Sequence, residues 1–177
     1  MKHYYLLILL LPSLLFAVPN NTRTPNSVEL RAGVSSSEGK TNPMGSLLYQ
    51  HFLSDNWAIG VAIQPILASR QLSGGSYLEN AAHRTITIIP IDFTVGYFFT
   101  MDSALQPFIR GYAGPAVVRG AGAAEELFHF GVGGGFRYFF DDEIYATAEL
   151  SGNVFALQDK TRSQNGPFFQ AGVGIAF

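Results

Sequence analysis

The most restrictive feature of this chain is a two-residue alternation of apolar and polar positions that recurs from residue 27 to residue 177. In its plainest instance Val28, Leu30, Ala32 and Val34 alternate with Glu29, Arg31, Gly33 and Ser35. A β-strand sends successive side chains to opposite sides, so this segment is greasy on one face and ionic or small on the other. The same pattern sets Trp57, Ile59, Val61, Ile63, Pro65 and Leu67 against Ala58, Gly60, Ala62 and Gln64, and Ile89, Ile91, Phe93, Val95 and Tyr97 against Asp92, Thr94 and Gly96. Further on, Phe128, Phe130, Val132, Phe136, Tyr138 and Phe140 oppose His129, Gly131, Gly133, Gly135 and Arg137, and Ala146, Ala148 and Leu150 oppose Tyr145, Thr147, Glu149 and Ser151. Weaker segments near 46–52 and 106–118, and a terminal one ending at Phe177, complete a set of eight.

Every clear charge inside these segments (Glu29, Arg31, Asp92, Arg110, Arg137 and Glu149) falls opposite the apolar face. Assigning Arg110 to the ionic face puts Phe108 and Tyr112 there too. A soluble sandwich or lipocalin-like barrel points its greasy face inward and carries many Lys and Glu on the other. Here only 14% of residues are charged although 47% are apolar, and the usual charged share is about a quarter. The apolar face therefore reads as the outside, facing lipid. A bilayer leaves no water for unpaired backbone groups, so strands cross it only as a closed barrel. The expected fold is all-β, an eight-stranded antiparallel up-and-down transmembrane β-barrel, with the six charges forming a polar network in its lumen and glycines on the inner wall making room for them.

Connection lengths fit an up-and-down plan, with short turns at 53–56, 100–105 and 141–143 and longer loops at 35–45, 68–82, 119–126 and 155–166. In bacterial barrels the short turns are periplasmic and the long loops external. Pro90 and Pro115 lie inside strands, where a missing N–H marks a bulge or a strand end; a local irregularity is expected at Pro90 and a bulge at Pro115. Trp57, Tyr97, Phe98, Phe99, Tyr138, Phe139, Phe140, Tyr145 and Phe177 gather at the short-turn end as one headgroup girdle, and Phe128, Phe130, Phe168 and Phe169 as a sparser outer one.

Residues 1–17 have the order of a secretory signal: Lys2 and His3, an apolar run over 4–11, then Pro12 and small residues up to Ala17. The apolar run is shorter than the roughly 20 residues of a membrane anchor. We expect cleavage after Ala17, a barrel domain over 18–177, and residence in the cell outer membrane. No cysteine is present, so neither a disulfide nor a lipid-modified N-terminal Cys is expected. A net charge of -2 with dispersed cations offers no concentrated basic surface for nucleic acid.

The terminal stretch Phe169-x-Ala171-x-Val173-x-Ile175-x-Phe177 resembles the closing signature of outer-membrane barrels. Residues 89–99 (IPIDFTVGYFF) and 106–114 (QPFIRGYAG) are similar to the middle hairpin of the OmpA/OmpX/OmpW-like small eight-stranded barrels. The resemblance implies that Phe169, Val173, Ile175 and Phe177 are read by the barrel-assembly machinery, with lipid and lipopolysaccharide as surroundings and the protein a monomer. It implies architecture more than activity. A structural or surface role with external loops as the interaction surface comes first. A narrow OmpW-like channel, with Ile66, Ile86 and Ile88 making the outer lumen apolar for small hydrophobic molecules, is the alternative.

A lipid-modifying enzyme is a third reading, because His129, Glu149 and Ser151 share a face, but the His-x-Ser motif of lipid A deacylases is replaced by His129-Phe130-Gly131. A buried, hydrogen-bonded histidine is the expected role of His129. His51 and His83 are isolated and give no metal-site spacing, and Gly131-x-Gly133-Gly134-Gly135 lacks the Lys-Ser/Thr and helix of a phosphate loop. No catalytic, metal or cofactor site is expected.

Overall fold

The computed structural model describes residues 25–37, 40–70, 84–101, 103–119, 125–157 and 164–177. They form strands β1 (Asn26–Ser37), β2 (Lys40–Phe52), β3 (Trp57–Ile63), β4 (Ile66–Arg70), β5 (Arg84–Phe98), β6 (Leu105–Arg119), β7 (Glu125–Phe139), β8 (Ile144–Leu157) and β9 (Gln164–Ala176). β3 and β4 are two halves of one stave, interrupted at Gln64 and Pro65, so the barrel is an eight-stranded antiparallel up-and-down one. It closes through β1, which pairs with β2 on one side and with β9 on the other, Ser27 facing Ala176 and Ser35 facing Phe168. Phe177 N and Asn26 N donate to each other's carbonyls at 2.9 and 3.1 Å, so the two outer ends of the sheet are stitched at one rim.

Alternation does the sorting. Leu30, Val61, Phe93, Val132, Leu150 and Val173 are exposed outward, while Glu29, Arg31, Asp92, Arg110, Arg137 and Glu149 are buried inward. The turns at the rim of the termini use the local chemistry the sequence supplies. Ser54 Oγ accepts from Trp57 N at 3.1 Å, and Asn56 Nδ2 donates to Phe98 O at 2.7 Å. Asp141 accepts from the backbone of Glu143 and Ile144 at 2.9 and 2.6 Å, and those two donors hold its carboxyl below the usual carboxylate range.

Several expectations need correction. The stretch 35–45 is not a long loop: β1 runs to Ser37 and β2 starts at Lys40, with Asn42 and Met44 buried and Thr41 and Pro43 exposed, a strand alternation hidden by polar residues. Phe155 belongs to β8, not to a loop, and is buried. Likewise β4 extends to Arg70, β6 to Arg119 and β7 back to Glu125; the remainders of the expected loops, 71–83, 120–124 and 158–163, lie outside the described residues. Pro115 makes no bulge, since register is unchanged on either side of it, whereas beside Pro90 the β5–β6 ladder skips two pairs, a local irregularity without a shift of register. Finally, Phe98, Tyr145 and Phe168 are not girdle residues but point inward and are buried, because β-parity, not ring chemistry, decides their direction.

Inner glycines mark close approaches. The Tyr145 ring lies where a side chain at Gly174 would go, and Arg31 Cγ is 2.8 Å from a Cβ built on Gly172. Gly152 is the opposite case: it faces outward, and a Cβ built there meets nothing within 4 Å. Gly152→Ala is therefore expected to stabilise the barrel by about 0.4–1 kcal/mol through a less flexible unfolded chain. Urea titration in detergent micelles checks this, and a loss of stability would show that the open space is used.

Candidate functional site

The lumen is filled in layers. At the rim of the termini Ala58, Phe98 and Phe108 form an apolar floor with Phe52 packed against them. Above it lies the ionic layer. Arg137 Nε donates to Glu29 Oε1 at 3.0 Å, its Nη2 reaches Glu29 and Gln50, and its guanidinium sits 4.3 Å from the Phe98 ring centre and 4.6 Å from that of Tyr145. Arg110 donates to Glu149 Oε2 at 2.6 Å and to Gln50 Oε1 at 3.1 Å, and stacks over Phe108 at 4.4 Å. Arg31 donates to the same Glu149 oxygen at 2.8 Å and to Ser46 Oγ at 2.9 Å. Tyr112 OH donates to Glu149 Oε1, and Tyr145 OH donates to Glu29 Oε1 at 3.2 Å.

Five of the six charges named from sequence thus meet in one cluster, joining staves that are not neighbours: β1 with β6, β7 and β8. Such bonds cross the barrel where the backbone ladder cannot, and removing one member of a buried ion pair strands the charge of the other. Tyr112, Tyr145, Gln50 and Ser46 complete the cluster. The parity of Arg110 already pointed to Tyr112; the others carry no sequence signal beyond their face.

The sixth charge, Asp92, stands apart in a second layer. Its Oδ1 is 2.8 Å from His129 Nδ1, and its Oδ2 accepts from Gln64 Nε2 at 2.8 Å. Gln170 Nε2 donates to Gln64 Oε1 at 2.9 Å, and His129 Nε2 is 3.0 Å from Asn153 Oδ1. The expected buried, hydrogen-bonded role of His129 matches these contacts, while Glu149 is engaged by Arg31, Arg110 and Tyr112, and Ser151 by Asn153. No group of three His, Cys, Asp or Glu side chains placed to hold a metal occurs among the described residues. Above this layer Met44, Ile66, Ile86, Ile88, Ala116, Val118, Phe155 and Phe168 form an apolar roof. The four terminal-strand residues Phe169, Val173, Ile175 and Phe177 all point outward and are exposed.

No protein-family model matches this chain, and no curated protein matches it. Solved structures do. Neisserial surface protein A is 14% identical with a TM-score of 0.60, covering 86% of this chain and 96% of its own. The N-terminal β-barrel domain of OprF from Pseudomonas aeruginosa is 18% identical with a TM-score of 0.54, covering 87% and 99%. Ail, the attachment invasion locus protein of Yersinia pestis, is 14% identical with a TM-score of 0.52, covering 86% and 96%. The chain has the fold of the small eight-stranded outer-membrane β-barrels.

Proposed function

We propose that the protein is a non-enzymatic, non-conducting barrel of the outer membrane whose external loops are its interaction surface. The observation that carries this reading is the occupied lumen: aromatic floor, ionic layer, polar layer and apolar roof follow one another along its height. Guanidinium and carboxylate groups that are bonded to each other are not free to solvate a passing ion. The six charges serve as an internal brace, and the scaffold is left to hold loops, the usual carriers of specificity. Two proteins of the same fold, a neisserial surface protein and an attachment invasion locus protein, have names that agree with a surface role. Planar-bilayer recording of the purified protein is expected to stay at baseline; a reproducible conductance step would overturn the reading.

A second reading draws on the roof. Met44, Ile66, Ile86, Ile88, Val118, Phe155 and Phe168 make the outer lumen apolar, which suits a small hydrophobic molecule better than an ion. Accelerated entry of an apolar tracer into cells expressing the protein, with no conductance, would favour it over the first.

Residence in the outer membrane and delivery to it complete the proposal. Removal of residues 1–17 is tested by N-terminal sequencing of the membrane-extracted protein. The outward Phe169, Val173 and Ile175 of β9, with Phe177 just after it, are the proposed assembly signal, with lipid and lipopolysaccharide around a monomer. Phe177→Ser is expected to lower the heat-modifiable, folded fraction in cells severalfold while refolding in detergent is retained; equal assembly of both forms in cells would remove that role.

A further inference from the structure

Three prolines on adjacent staves lie at one height of the wall, where the β5–β6 ladder is thinned while Gln64 N still donates to Pro90 O at 3.1 Å. The third stave breaks at Gln64 and Pro65. β5–β6 pairing stops at Pro90 opposite Ala116 and resumes only at Phe93 opposite Ala113, leaving Ile91, Asp92, Gly114 and Pro115 without ladder partners in each other. Each proline lacks the N–H that the ladder needs.

On the inner side of that same seam lies the second polar layer. Gln170 on β9, Gln64 at the break, Asp92 on β5, His129 on β7, and Asn153 and Ser151 on β8 form one continuous chain of hydrogen bonds across the lumen. We infer that this chain is a protonation-dependent strap: with His129 as imidazolium it holds the proline seam of β5 closed, and loss of that proton slackens it.

The hydrogen-bond roles decide the charge state. Asp92 as a carboxylate offers only acceptors, so Nδ1 of His129 donates to it. Asn153 Nδ2 donates to Ser151 O at 3.2 Å and to Ser151 Oγ at 2.9 Å, which turns Asn153 Oδ1 toward His129 Nε2. That nitrogen must donate as well. An imidazole donating from both nitrogens carries a positive charge, which sits here stacked on Phe155 at 4.6 Å and Phe168 at 6.0 Å between ring centres.

The other groups around the ring leave Asp92 as its ionic partner. β3 and β4 contribute neutral Gln64 and apolar Ile66, β6 contributes Gly114 opposite His129 and Ala116, and β9 contributes Phe168 and Gln170. On β6 Tyr112, and on β8 Glu149, belong to the ionic layer, bonded to each other and to Arg31 and Arg110. When the ring loses a proton one of its two bonds must go: either Nε2 faces the Asn153 carbonyl without a hydrogen, or the amide turns and gives up Ser151 O. The first case cuts the strap between β7 and β8, the second removes a bond within β8, and in both Asp92 loses the ionic half of its anchor.

The test is amide hydrogen exchange on the full-length mature protein in detergent or nanodiscs, at about pH 5 and about pH 9, either side of the imidazole range and corrected for intrinsic rates. Peptides covering the proline seam in β5 and β6 are expected to exchange about tenfold faster at the higher pH, the order of one lost charge-assisted hydrogen bond. Peptides of β1 should not change. His129→Gln should show the fast seam at both pH values, and Asp92→Asn serves if that variant does not assemble. Nitrogen NMR of histidine-labelled protein should show both His129 ring nitrogens protonated at the lower pH. Seam exchange that ignores pH while the His129 signals titrate, or a single protonated nitrogen throughout, would overturn the inference. So would faster exchange spread evenly around the barrel.

Discussion

Glu29→Ala is expected to cost about 3–5 kcal/mol, enough to leave most of the chain unfolded or unassembled. Glu29 Oε1 accepts from Arg137 through two nitrogens and from Tyr145, and lies 3.4 Å from Arg110 Nη2. Without it Arg31 and Arg110 share Glu149, and the buried guanidinium of Arg137 is left with Gln50 and aromatic rings. The penalty comes from stranded charge more than from lost attraction, and a double variant exposes the difference. Glu29→Leu combined with Arg137→Met removes a charge of each sign and is expected to be less destabilised than Glu29→Ala alone. Urea unfolding in micelles, followed by the fluorescence of Trp57, the single tryptophan, reads both. A loss below about 1 kcal/mol for Glu29→Ala would mean that the cluster is wet and adaptable, against the brace proposed here.

The second large effect is on the opposite face. Val132 lies midway along β7, is 68% exposed, and is flanked by outward Phe130 on the same strand. In hydrocarbon, Val132→Arg is expected to destabilise the folded barrel by about 2–4 kcal/mol, and Val132→Leu by little. The same arginine on a water-facing strand would cost less than about 0.5 kcal/mol. The measurement therefore decides what surrounds the barrel, independently of what its loops do. Refolding into lipid vesicles at graded urea concentrations gives the number, and near-equality of the two variants would place water, not lipid, on this face.

The parity of charges made most of this architecture legible in the sequence. Burying an ion in lipid is so costly that Glu29, Arg31, Asp92, Arg110, Arg137 and Glu149 fix the inward face of each strand that carries one. Aromatic rings carry no such information, since Phe and Tyr suit a lumen as well as a bilayer. That is why Phe98, Tyr145 and Phe168, placed in girdles by their position near strand ends, prove to be inside. Strand ends failed for a related reason: over residues 40–45 each face mixes polar and apolar side chains, Asn42 with Met44 and Thr41 with Pro43, so no alternation distinguishes a strand from a loop. The pairing within the lumen was not legible either. Arg31 meets Glu149 from 118 positions away, a contact set by closure of the barrel and invisible to any local pattern.

The β1–β9 seam has a consequence for how such a protein comes into being. β1 must wait, one edge bare, for β9, because its partners Ala171, Val173 and Ile175 are made only after β2 to β8. Every partial product has two raw edges open to any neighbouring strand. Closure of the barrel is therefore a single late event, and at every earlier stage the bare edge of β1 is where a stray strand could pair.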